Sequence, residues 1–377
     1  MKLLFINGSR GEWGYIRPII RRCEQASIDY SICATNMLLL PGYGTLVDEI
    51  KRDGFRVDDE IYMSLEGSNH YTMAKSLGIF LTSFVDVLYR QRPSWIILAG
   101  DRGEQLMGSI AGAYTYTPVA HIQAGERSGN IDGTARHALG KFVHLHLAAN
   151  QDAADRLLRL GEEPFRVHNV GAPQLDELNE GPISNFDELA ESYHLDATEP
   201  YLMVALHPVT EEMDHAEEQV KVLVGALNNF KMKKVWILPN NDAGSETTRR
   251  VLLQQRQSDI QVHENLTRKD YLGMLKNCRA IVGNSSSGLL EAPTFGIPAV
   301  NIGRRQNHRV QGKNVLNAAF KVQACVDAIE HAISPEFRAS LADCNNPYGD
   351  GHSAERILDI LQNLVVDDQL LVKNLMY

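Results

Sequence analysis

Short runs of unbroken apolar residues, many of them closed by Gly or Asn, alternate along this chain with longer segments of helical period. The runs lie at 2–7, 95–100, 119–123, 143–149, 201–206, 235–238, 280–283 and 299–303. Continuous apolarity, as opposed to alternation, marks strands buried on both faces of a parallel sheet. The intervening segments 73–90, 153–160, 217–229 and 269–277 carry helical spacing. Strand–helix–strand alternation of this kind predicts an α/β fold of doubly wound sheets. At 377 residues the chain is too long for one ordinary core and suits two such domains.

The rhythm breaks at 172–200, an acidic and polar stretch punctuated by Pro173, Pro182 and Pro200. It reads as the crossing between two Rossmann-like domains, residues 1–172 and 173–352. A turn cluster, Pro347-Tyr348-Gly349-Asp350-Gly351, precedes a helix at 353–364. Its Ile357, Leu358, Ile360, Leu361 and Leu364 form an apolar stripe that has to dock against another element.

The 37 basic and 47 acidic residues leave a net charge of −10, which argues against a nucleic-acid or acidic-membrane binder. An anionic small ligand stays open, because a few arginines and helix N-termini suffice to hold a phosphate. Five cysteines, an odd number without a CxxC pair, predict no disulfide framework and suit a reducing, cytoplasmic setting. The apolar N-terminal run is too short for a signal peptide, and no run reaches the length of a membrane span.

Ligands of open parallel sheets sit at the carboxyl ends of the strands, so the residues just after each run are the candidates. Gly8-Ser9-Arg10-Gly11 follows the first, with glycines for close backbone approach and Arg10 at a helix start. It is neither GxGxxG nor a Walker loop. Asp101-Arg102 follows 95–100: an acid with an anion ligand beside it, or a helix N-cap. Gln123, Glu126 and Asp132 lie in a loop and helix start dense in ionisable groups. In the second half, Pro208 holds His207 extended at a strand tip. Asn240 and Asp242 follow the next run. Gly283-Asn284-Ser285-Ser286-Ser287-Gly288 then leads into a helix expected at 289–294. Small residues, free N–H groups and hydroxyls suit a pyrophosphate there, and Glu291 could accept from ribose hydroxyls; the competing reading is a serine N-cap with a capping glutamate. His121, His137, His144 and His146 cluster without an HExxH or carboxylate spacing, so no metal site is expected.

Taken together, GSR at 8–10, GDR at 100–102, SGNIDGTARHA, ALHPVT, LPNNDAGS, GNSSSGLLEAPTFG and IPAVNIGRRQ resemble the hydrolysing UDP-N-acetylglucosamine 2-epimerases, in the family's order from residue 2 to about 316. The resemblance implies a GT-B-like fold, two Rossmann-like domains facing a central cleft, with the C-terminal segment 353–377 packed back on the first. It implies UDP held mainly by the second domain: Ser285 and Ser286 on the diphosphate, Glu291 on the ribose, Asn240 and Asp242 near the nucleotide. His207, Arg102 and Arg10 match substrate or phosphate ligands, and Asp101 and Asp132 match carboxylates of the chemistry. Well-known members carry glutamate where this chain has Gln123, which cannot exchange a proton; Glu126 is the candidate to cover that role. Gly133 replaces the second Asp of the usual IDD.

The chemistry so implied is elimination of UDP to a glycal followed by hydration, turning UDP-N-acetylglucosamine and water into N-acetylmannosamine and UDP for sialic acid synthesis, with no cofactor. A homodimer or homotetramer is expected by resemblance. The alternatives are the same reaction on UDP-2,4-diacetamido-2,4,6-trideoxyglucose for legionaminic acid, a non-hydrolysing epimerase, a GT-B glycosyltransferase, or a silent nucleotide-sugar sensor.

Overall fold

The computed structural model describes residues 1–41, 46–67, 69–128, 131–239, 244–254 and 258–376. The chain divides into two compact units. The first comprises Met1–Arg127, Ile131–Asn179 and Tyr348–Tyr377, and the second is built on Glu180–Pro347.

The sheet of the first unit contains β1 (Lys2–Asn7), β2 (Asp29–Thr35), β3 (Asp59–Ile61), β4 (Trp95–Ala99), β5 (Val119–Ala124), β6 (Leu145–Ala148) and β7 (Val167–Asn169). They are parallel and run in the order β3-β2-β1-β4-β5-β6-β7. Helix Arg10–Gln25 lays Trp13, Ile16, Ile19, Ile20 and Cys23 on one side of this sheet. The spacing of three and four residues puts those side chains on a single face. Helix Ser353–Asn363 adds Ile357, Leu358 and Leu361 to the same core. Each such aliphatic side chain contributes about 1.5–3 kcal/mol on burial.

The second unit repeats the plan with β8 (Tyr201–Ala205), β9 (Lys233–Ile237), β10 (Ile260–His263), β11 (Ala280–Gly283), β12 (Ala299–Ile302) and β13 (Val315–Ala318). Their order is β10-β9-β8-β11-β12-β13, again all parallel. Both sheets are therefore doubly wound and Rossmann-like. Each reverses its winding direction at one place, between β1 and β4 and between β8 and β11. That reversal opens a crevice at the strand ends, where ligands of such sheets bind.

Two local differences from the sequence reading have physical causes. The units part at Asn179 and Glu180, inside the crossing read at 172–200 and past the domain bound placed at 172. Glu177 is held by buried Arg17, with 2.8 Å from Nη2 to Oε2. Asp176 accepts the first free N–H groups of helix Ser353–Asn363, from Ser353 at 2.9 Å and Ala354 at 2.7 Å. These ties extend the first unit by several residues. The helix expected at 289–294 is a single turn, Ser287–Leu290, followed by a 3-10 turn, Ala292–Phe295. Pro293 cannot donate the next helical hydrogen bond, and Gly296 closes the segment in the left-handed region at φ +62°. No helix among the described residues is long and apolar enough to cross a membrane.

Candidate active site

The ends of β1 and β4 flank the reversal of the first sheet, and both carry candidate residues. After β1, Ser9 caps helix Arg10–Gln25 by accepting from the Glu12 N–H, which leaves Arg10 half-buried at the helix start. After β4, Asp101 is not the N-cap: Arg102 takes that position, without a side-chain cap bond. Asp101 is released from capping and pairs with Arg136, which is 2% exposed. Arg136 sits on helix Ile131–Gly140 one turn after Asp132, so the partner of Asp101 and a second carboxylate share one helix face. Sequence reasoning left Arg136 without a role, although its place four residues after Asp132 was visible.

Gln123 stands at the end of β5, where the pairing with β6 shifts register, and adopts φ +60°. It is 1% exposed and donates through Nε2 to Gln174 Oε1 at 3.3 Å. A side chain this buried in a left-handed residue is held by its surroundings. Glu126 follows, 3% exposed, and accepts from Asn150 Nδ2 at 3.3 Å. Gln174 and Asn150 are further residues that the sequence motifs did not flag.

The histidines noted in the sequence serve as neutral buttresses. His121 Nε2 lies 2.6 Å from the Gly100 carbonyl, just before Asp101, and burial pushes its pKa down to about 3. His144 Nδ1 accepts from the Val119 N–H at 3.0 Å, and burial lowers it to about 4. Burial likewise lowers His146 to about 4, against the pull of Glu162 at 2.9 Å. Among the described residues no group of His, Cys, Asp and Glu has the arrangement to hold a metal ion.

In the second unit the ends of β8 and β11 meet at the reversal. Gly283 has φ +134°, and a Cβ there would fall 2.1 Å from the Ala205 carbonyl, so only glycine lets the strands approach. Asn284, 1% exposed, then grips the backbone of half-buried His207 from both sides. It accepts from the His207 N–H at 2.7 Å and donates to its carbonyl at 2.8 Å. Ser285 and Ser286 follow, both half-buried, and Ser286 makes no side-chain cap bond. Ser285 Oγ accepts from the Ser287 N–H at 3.4 Å, so the capping alternative accounts for Ser285 in part and not for Ser286. Glu291, 4% exposed, is paired with Arg268, and Tyr271 lies beside it. Burial, and then the Glu291 charge, push Tyr271 up to about 12. Asn240 and Asp242 lie outside the described residues.

The first unit thus offers carboxylates braced by arginine and amides, while the second offers a glycine-shaped turn with hydroxyls and backbone N–H groups. Residues 21–362 match the family model described as UDP-N-acetylglucosamine 2-epimerase. A UDP-N,N'-diacetylbacillosamine 2-epimerase (hydrolyzing) of Legionella pneumophila is 34% identical over 99% of this chain and 98% of its own. A UDP-N-acetylglucosamine 2-epimerase of Neisseria meningitidis is 30% identical over 96% and 95%. Among solved structures, the UDP-GlcNAc 2-epimerase from Neisseria meningitidis bound to UDP-GlcNAc superposes with a TM-score of 0.82 at 18% identity, covering 97% of this chain and all of that one. With its GT-B-like pair of Rossmann-like sheets, this chain belongs to the UDP-N-acetylglucosamine 2-epimerase family.

Proposed function

We propose that the protein is a hydrolysing 2-epimerase that converts a UDP-2-acetamido sugar and water into UDP and the free 2-epimer. The carrying observation is Asp101, fixed by buried Arg136 one helical turn from Asp132. Two carboxylates, one at a strand tip and one on the helix that carries its arginine partner, suit a reaction that removes a proton from C2 on one face and returns it on the other. Glu126, held by Asn150, is the third acid available.

The reaction proceeds in two steps. Loss of the C2 proton and departure of UDP from C1 give a glycal. Water then adds its oxygen at C1, and a proton returns to C2. Negative charge develops on the leaving diphosphate, and fixed donors stabilise it. The Ser285–Ser287 turn supplies such donors, with His207 at the neighbouring strand end; Arg10 and Arg102 are assigned to the substrate or its phosphates. Glu291 is assigned to the ribose. Gln123 takes no part in the proton transfers assigned to the glutamate of other members, and Glu126 is the acid left to cover that role. Two relatives whose names carry the word hydrolyzing, from Legionella pneumophila and Campylobacter jejuni, add support.

For the sugar we favour UDP-2,4-diacetamido-2,4,6-trideoxyglucose, the substrate named for the 34% identical relative. UDP-N-acetylglucosamine is the second reading, favoured by the 30% identical Neisseria relative. The test is acceptor-free UDP release, followed by chromatography with each sugar nucleotide in turn. Release of UDP with a free 2-epimer sugar supports the function and names the substrate. A UDP-linked epimer, or release that depends on an added acceptor, refutes it.

A further inference from the structure

Four side chains form a chain of hydrogen bonds that joins the ends of β3, β2 and β4 across the tip of β1. Ser64, just after β3, donates to Asn36 Oδ1 at 3.0 Å. Asn36 follows β2 directly, in the left-handed region at φ +50°, and donates through Nδ2 to Glu104 Oε1 at 3.1 Å. Arg102, after β4, donates through Nε to the same oxygen at 3.3 Å. Gly8, after β1, lies under that carboxylate so closely that a Cβ on it would fall 2.0 Å from Glu104 Oε1.

The crevice below is filled to match. Gln105 joins the two central strands, donating to the Ile6 carbonyl at 3.3 Å and accepting from the Ala99 N–H at 3.2 Å. Glu12 accepts from the Gly8 N–H. Glu12 and Glu104 are 2% and 1% exposed. Two buried acids beside a single strand tip are more than capping needs, because a buried charge is costly unless it is paired and hydrogen-bonded. Burial, and then the charge of Glu104, push Glu12 well above the usual carboxylate range.

We propose that Glu104, backed by Asn36, is a positioning residue that aims the Arg102 guanidinium and locks the Gly8–Arg10 turn beside it. The two arginine-bearing loops at the reversal of the first sheet are thereby held as one anion-binding tip. The role rests on the reading of Arg102 as a ligand of the substrate or its phosphates. Glutamate suits it because one fixed oxygen accepts from both Asn36 and Arg102, orienting a group that would otherwise sample many rotamers. Misplacing such a group by about 1 Å costs on the order of 10²-fold in rate.

The test is a double-mutant cycle on kcat/KM for UDP release, with melting temperature followed in parallel. Arg102→Ala and Glu104→Gln are each expected to lower kcat/KM, the second by roughly 10- to 100-fold. The pair together should be no worse than Arg102→Ala alone, because Glu104 acts through the arginine. Losses that multiply would assign Glu104 an independent structural role and overturn the proposal, as would wild-type kinetics in either single variant. If Glu104→Gln does not fold, Asn36→Gly, which keeps the left-handed backbone and deletes only the side chain, carries the same cycle. If the wild-type protein releases no UDP from either sugar nucleotide, the proposed function fails by itself, and the same cycle is then read on UDP binding by calorimetry, where non-additivity still supports the linkage and additivity overturns it.

Discussion

The two sheets share the order of their first six strands but hold most of their candidate residues by different means, Glu291 with its Arg268 partner excepted. At the ends of β1, β4 and β5, side chains hold side chains: Arg136 with Asp101, Glu104 with Arg102, Asn150 with Glu126, Gln174 with Gln123. At the ends of β8 and β11 the backbone is held instead, through the left-handed Gly283 and the two hydrogen bonds by which Asn284 clasps His207. The difference follows from the tasks assigned to each. Proton transfer needs charged groups at fixed positions, and Asp101 and Glu126 each come with a partner. Cradling a diphosphate needs close approach and N–H donors, which a shaped backbone supplies without adding charge. On the proposed assignment, one fold serves a proton-transfer site and an anion cradle by changing what is tethered.

The sharpest way to break this contrast is at the carboxylates. Asp101→Asn and Asp132→Asn should each lower kcat by about 10²- to 10⁴-fold in a UDP-release assay. They should leave UDP binding by calorimetry nearly unchanged, and full activity in the double variant would end the proton-transfer assignment. A smaller loss is expected for Arg136→Met. That change leaves Asp101 without its partner, lowering kcat by about 10²-fold, and it should displace the pH–rate profile relative to wild type. An unmoved profile would make Arg136 a packing residue. On the other side, Asn284→Ala should weaken UDP binding about 10-fold with little change in kcat at saturation. A fall in kcat with unaltered binding would show that the two sheets are not divided in this way.

The smallest effect concerns pH. His121, His144 and His146 are held neutral to about 3, 4 and 4 by burial, against a usual 6.5. The unfolded chain therefore takes up protons first, and stability should fall as the pH drops from 6.5 towards 4. Glu162 extends the fall. Burial pushes it up, but His146 and Lys373 outweigh that and hold it at about 2, so its contribution is lost between pH 4.5 and 2. Thermal melts of wild type and of a His146→Phe variant check this: the variant should show a shallower decline above pH 4. Equal slopes would remove His146 from the account.

The sequence made the inner strands legible because they are buried on both faces and therefore unbroken in apolarity, as in Leu3–Ile6 and Trp95–Ala99. It concealed β2, whose buried Ser31, Cys33 and Thr35 interrupt the run while fitting the sheet equally well. The outer strands β7 and β10 passed unseen because they are short and only partly buried. The candidate site was legible where residues sit directly after a central strand: Arg10, Asp101, His207 and Ser285. Its supports were not, because the partners come from far along the chain. Glu104 takes Asn36 from 68 residues away, Gln123 takes Gln174 from 51, and His207 takes Asn284 from 77. Such pairs arise only when winding brings strand ends together.

The most direct test of the central claim is a proton NMR time course in D₂O of the wild-type protein with its sugar nucleotide and no acceptor. The account predicts UDP together with a free 2-epimer sugar carrying deuterium at C2, formed at the same rate. A free sugar that keeps its C2 proton, or a UDP-sugar that exchanges at C2 without releasing UDP, would contradict it.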